Sequence, residues 1–76
     1  MDQTLYILMV NHKPIDVTTV LKEAVDNAKS FNNIFKLGLT IPRYNTISQS
    51  ILRNKKWVVT EGAQRLSIYT ITKSIV

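Results

Sequence analysis

The sequence predicts an α+β domain in which three to four helices pack with a C-terminal antiparallel β-hairpin. Three observations predict it. Val17, Val20, Leu21, Ala24, Val25 and Ala28 recur at three- and four-residue spacing, the period of an amphipathic helix. Thr40-Ile41-Pro42 supplies a helix start, with Thr as N-cap and Pro in the first turn. Residues 57–72 are rich in Val, Ile, Thr, Tyr and Trp, and Glu61-Gly62-Ala63-Gln64 reverses their direction.

The 76 residues make one domain, 1–76, with a thin stability margin, since so short a chain buries only about 60–65% of its unfolded surface. At 45% hydrophobic and 20% charged residues the composition is that of a globular domain rather than a disordered tail. Cysteine is absent, which excludes disulfides and thiolate metal sites and fits a reducing compartment. The apolar run Leu5–Val10 is far below the roughly 18 residues that span a bilayer, and no basic leader precedes it. The expectation is an intracellular protein, in cytoplasm, nucleoid or nucleus, with no membrane partner.

Element by element, residues 3–11 are apolar all round and suit either a buried helix or a buried strand. The helix is preferred, because Asp2 can cap it and Asn11-His12-Lys13-Pro14 can end it. Asp16 is the expected N-cap of the next helix. Ser30 to Leu37 suggests a further short helix, capped by Ser30 and closed by Gly38. In the helix at about 42–53, Tyr44, Ile47 and Ile51 share one face. Thr46, Gln49, Ser50 and Arg53 point the other way, with Asn45 at the edge, and Asn54-Lys55-Lys56 ends it. In the hairpin, Leu66, Ile68 and Thr70 alternate with Ser67, Tyr69 and Ile71.

Charge is unevenly placed. Residues 1–38 carry four Lys or Arg against four Asp or Glu, whereas residues 39–76 carry six against one. The net charge of +5 therefore falls wholly on the second half. A helix and a hairpin bearing all the excess cations suit contact with a polyanion.

This order of parts resembles the winged helix-turn-helix superfamily. The resemblance runs through Gly38-Leu39, Pro42-Arg43, Thr46-Ile47-Ser48, Ile51-Leu52-Arg53, Trp57 and the hairpin end Ile68–Thr72, and Ile7–Val17 is similar to the family's opening. The stretch from Ala28 to Leu39 is longer than that family's usual turn. The resemblance implies double-stranded DNA as partner. Arg43, Asn45, Thr46, Gln49, Ser50 and Arg53 would form the outward face of a recognition helix. Lys55 and Lys56 would lie at its end, and Gln64 and Arg65 at the wing tip. The chemistry agrees: Asn and Gln pair with adenine and Arg with guanine in the major groove, while Lys contacts phosphate without reading sequence.

The plainer reading of each feature is structural. Gln, Ser and Arg on a helix can be a solvated face, and Lys55-Lys56 a polar helix end. Trp57 reads as a core plug beneath the hairpin, Tyr6, Phe31 and Phe35 as core, and Tyr69 as either core or surface. His12, the sole histidine, reads as a loop or capping residue. No serine can be matched to a base and an orienting acid, and two glycines do not make a phosphate-cradling loop. The expectation is a non-enzyme without catalytic residues, cofactor or metal.

Three functions follow. The first is a small DNA-binding regulator of transcription or replication, of viral or mobile-element type. A homodimer on a two-fold site would raise its affinity, with Leu5–Val10 and Ile75-Val76 as candidate dimer surfaces. The second is an interaction adaptor whose positive half meets an acidic protein partner. The third is RNA or single-strand binding through Tyr and Trp on the hairpin.

Overall fold

A computed structural model describes residues 2–74. The apolar run near its start is a strand, β1 (Asp2–Val10), rather than a helix capped by Asp2. It is an inner strand of the sheet, and Leu8 and Val10 are buried in the core while Leu5, Ile7 and Met9 alternate onto the other face. Asn11 and His12 then reverse the chain with φ of 49° and 73°. Two successive positive φ values are what a two-residue I′ hairpin turn demands, and Asn is among the residues that tolerate them. The chain returns antiparallel as β2 (Lys13–Thr18).

Asp16, expected as a helix cap, therefore lies in a strand, where its carboxylate accepts a 2.6 Å hydrogen bond from the Asn27 side chain. The β-branched residues Ile15, Val17, Thr18, Thr19 and Val20 oppose an earlier helix start. Helix α1 (Leu21–Ile34) begins only after them. Thr18 Oγ1 accepts from the Val20 N–H at 3.2 Å and donates to Glu23 at 2.9 Å, tying the first turn to β2.

A single helix thus replaces two expected ones. Ser30 sits inside α1, and residues 35–43 form a loop to α2 (Tyr44–Asn54). Asn32 organises that loop. Its side-chain amide donates to the Leu39 carbonyl at 2.8 Å, and its oxygen accepts from the Leu39 N–H at 3.0 Å. This pair draws Leu37 and Leu39 into the core, at 9% and 5% exposure. Asn32→Asp removes the donor and sets a carboxylate against a carbonyl. It is expected to cost about 1–3 kcal/mol, read as a lower urea midpoint at unchanged slope.

Helix α2 ends at Lys55, whose φ of 63° and ψ of 15° place it in the left-handed region. Lys55→Gly is expected to stabilise the fold by about 0.5 kcal/mol, since glycine adopts this conformation without the Cβ penalty. A thermal melt reads the gain.

The expected hairpin is present as β3 (Lys56–Glu61) and β4 (Gln64–Ser74), turned by Gly62 at φ 62°. It is not a wing. β4 pairs with β1 over the full length of β1, from Asp2↔Ser74 to Val10↔Leu66. The result is one antiparallel sheet of order β2-β1-β4-β3 with two helices, so the winged arrangement of three to four helices does not hold. The expectation fails because the N-terminal half contributes two strands in place of a first helix.

Both helices lie on one face of the sheet. The core there joins Leu8 and Val10 of β1, Ala24, Val25 and Ala28 of α1, and Ile47 and Ile51 of α2 to Trp57, Leu66 and Ile68 of the hairpin. Trp57 is a core plug at 5% exposure, and Tyr6 and Phe31 pack partly against it, whereas Phe35 is 48% exposed. Leu8 and Val10 are thereby withdrawn from any dimer surface, and Ile75-Val76 lie outside the described residues. β2 pairs only as far as Tyr6 and β3 only as far as Tyr69. Beyond them Asp2–Leu5 and Thr70–Ser74 continue as a two-stranded ribbon, which gives the molecule its 41 Å long axis. Among the described residues no helix is long and apolar enough to cross a membrane.

Candidate nucleic-acid interface

The second face of the sheet carries no helix, and strand alternation decides what it presents. On β4 the residues opposite the core positions Leu66 and Ile68 are Arg65, Ser67, Tyr69, Ile71 and Lys73. β1 adds Gln3, Leu5, Ile7 and Met9, paired with Lys73, Ile71, Tyr69 and Ser67 in that order. β3 adds Lys56, Val58 and Thr60, paired with Tyr69, Ser67 and Arg65. On β2, Val17 pairs with Ile7 and is 54% exposed.

Among the described residues the charges on this face are Lys56, Arg65 and Lys73, with no carboxylate. All five acidic residues lie elsewhere. Asp2, Asp16 and Glu61 fall on the helix-bearing side by the same alternation, and Glu23 and Asp26 are exposed on α1. The bare face thus carries Lys56 on its β3 edge and Arg65 and Lys73 toward the two ends of the inner strand β4, and it is apolar between them, where Leu5 and Ile7 are half-buried and Ile71 is 48% exposed.

Two of its polar groups are fixed in place. Asn11 extends the β1–β4 ladder past its last pair. Its N–H donates to the Arg65 carbonyl at 2.9 Å, and its Oδ1 accepts from the Arg65 N–H at 2.7 Å. Its Nδ2 donates to Gln64 Oε1 at 2.7 Å. With its backbone pinned, Arg65 reaches along the strand, and its Nη2 donates to Tyr69 Oη at 2.8 Å. The joined side chains span Ser67, which is 2% exposed.

The residues singled out from sequence divide between the two sides of the molecule. Arg43, Asn45, Thr46, Gln49 and Arg53 are exposed at the start of α2 and along its outward face, away from the sheet, as expected for that helix. Ser50 is not free for a ligand, since its hydroxyl donates to the Lys56 carbonyl at 3.0 Å, fastening α2 to β3. Lys55 is exposed at the helix end, and its carbonyl accepts from both the N–H and the hydroxyl of Thr70. Lys56 and Arg65 face the bare side, opposite the outward residues of α2. Gln64 is held by Asn11 rather than presented at a wing tip.

Tyr69 and Lys73 were legible as alternating members of one strand face, but only the absence of a covering layer makes that face a surface. Asn11 carried a turn signal and gained its second role from the β1–β4 pairing. A shallow cleft of about 110 Å³ lies on the helix-bearing side of the ribbon, lined by Thr4, Tyr6, Leu52, Lys55 and Thr72 among others. It brings together hydroxyls and one cation, without an acid–base pair. Among the described residues no three His, Asp or Glu side chains cluster in a way that would hold a metal.

The class these features define is a small α+β domain with two helices on one face of a four-stranded antiparallel sheet and a basic, uncovered second face. No family model, curated protein or solved structure matches the chain.

Proposed function

We propose that this protein binds nucleic acid through the bare face of its sheet. The observation that carries the reading is the sorting of charge: three cations and no carboxylate on that face, against all five carboxylates elsewhere. Surface charges scattered for solubility alone mix both signs, whereas a polyanion is attracted where repulsive groups are missing. The sheet fixes the backbone positions that carry these cations, and the hydrogen bond to Tyr69 orients Arg65 before a ligand arrives.

A second reading uses the other side. Arg43, Asn45, Thr46, Gln49 and Arg53 line an exposed helix that a major groove could admit. The first reading is favoured because Glu23 and Asp26 share the helical layer with α2 and would face the phosphates of a duplex laid across it.

Two paired variants separate them, each changing exposed side chains only. The bare-face reading expects Lys56→Gln with Lys73→Gln to abolish most binding to mixed oligonucleotides, and Arg43→Gln with Arg53→Gln to change it little. The reverse pattern transfers the site to α2. Absence of binding by the unaltered protein even at low salt refutes both and leaves an acidic protein as the partner to seek.

A further inference from the structure

Resting on the reading above, we infer that the nucleic acid held on this face is single-stranded, with one base stacked on the ring of Tyr69. The ring is held in position before any ligand arrives. Arg65 and Tyr69 lie four residues apart on one strand, about 13 Å between Cα atoms. Their 2.8 Å hydrogen bond forms only if both side chains lie down along the sheet toward each other. Ser67 between them is covered in consequence. The phenol ring is therefore laid along β4 with one side toward the sheet, and its outer side is a platform for a base. Lys56 stands directly across β3 from it and Ile7 directly across β1.

The composition of the face decides between strand types. Leu5, Ile7 and Ile71 lie between the cations, with Lys56 on the β3 edge and Arg65 and Lys73 toward the two ends of β4. A duplex presents phosphates outward and hides its base planes. Pressing that backbone onto three apolar side chains would strip its water without replacing the hydrogen bonds. A single strand turns its bases inward onto apolar and aromatic surface and leaves its phosphates to the cations at the rim, the pattern of sequence-tolerant single-strand binders. The Cα atoms of Arg65 and Lys73 are about 27 Å apart on β4, and although the Arg65 guanidinium is drawn back to Tyr69 the two charges still stand far enough apart to meet phosphates of different nucleotides. A second copy of the chain fits less well, because two such faces would oppose cations with cations and bring no carboxylate to pair them.

The test measures fluorescence anisotropy of the full chain with labelled oligothymidine, oligouridine and a mixed duplex, each of about 15 nucleotides or base pairs. Both single strands are expected to bind at least about tenfold more tightly than the duplex, and Tyr69→Leu to weaken single-strand binding roughly tenfold, the scale of one lost base stack. Tyr69→Phe retains the ring, and its loss is expected to be smaller than that of Tyr69→Leu. Should Tyr69→Leu fail to fold, the unaltered protein is photocrosslinked to iodouridine-substituted strands, and the adduct is expected on Tyr69. A duplex bound as tightly as the single strands, or an adduct confined to α2, overturns this inference while nucleic-acid binding itself stands. Failure to bind all three probes overturns both. A preference for the uridine or the thymidine strand supports the inference, and oligodeoxyuridine then separates recognition of the sugar from recognition of the thymine methyl group.

Discussion

Ile68→Ala is expected to remove a large part of the stability of this fold. Ile68 is fully buried on β4, paired with Leu8 of β1 on one side and Trp57 of β3 on the other, beneath the helices. Truncating such a side chain costs about 2–5 kcal/mol, because transfer energy is lost and a cavity remains. A domain of this size has a total stability of roughly 4–11 kcal/mol, so one substitution removes a large part of it. The expected fall in Tm is about 10–30 °C, followed by circular dichroism. Ile71→Ala is the control. It lies three residues further along the same strand but on the bare face at 48% exposure, and its Tm is expected to move by only a few degrees. Equal losses at the two positions would contradict the assignment of a covered and an uncovered face.

The second large effect concerns salt. Lys56 and Lys73 are exposed on the bare face, one on the β3 edge and one in the ribbon. If each neutralises a phosphate, each releases a counterion, and for single strands the slope of log K against log salt is about −0.7 per contact. The pair Lys56→Gln and Lys73→Gln is then expected to flatten that slope by about 1.4 and to lower affinity at low salt by tenfold or more. Arg43→Gln with Arg53→Gln is expected to leave the slope unchanged, because those side chains project from the opposite side. An anisotropy titration over a range of salt concentrations reads slope and affinity together. A variant that loses affinity but keeps its slope would point to altered structure rather than lost phosphate contacts. Neither pair touches the buried core, so melts of both variants should overlay that of the unaltered chain.

Local patterns in the chain were sufficient for α2 and the C-terminal hairpin. The spacing of Ile47 and Ile51, the positive φ supplied by Gly62 and the alternation through Leu66 and Ile68 all act over a few residues, although the helix start was misplaced: Thr40 and Pro42 lie in the loop and Arg43 is the N-cap. They also placed Asn45, Thr46, Gln49 and Arg53 outward on α2, but not Ser50, which is bonded to the Lys56 carbonyl, nor Tyr44, which was put on the inward face and is 39% exposed. The N-terminal half was less transparent, because the strand signal was shared among features that each permit a helix. The run Leu5–Val10 is apolar throughout, and a uniformly apolar segment has no period to distinguish strand from helix. Two local clues favoured strands, the β-branched residues from Ile15 to Val20 and Asn11 at a hairpin turn. The Asn32 clamp on Leu39 joins residues seven apart through a loop with no repeating pattern, so sequence spacing did not reveal it.

By itself the sequence determined the element types of the second half, the location of the excess positive charge and most of the residues that project from α2, because propensity, periodicity and composition are properties of short segments. Only the tertiary structure decided that β4 would pair with β1 rather than end a wing, and that one sheet face would be left without helices. Pairing between residues more than sixty positions apart, such as Tyr6 with Thr70, is chosen by which apolar surfaces can be buried together. That choice placed Lys56, Arg65, Tyr69 and Lys73 on a common surface and Arg43, Gln49 and Arg53 on the opposite one.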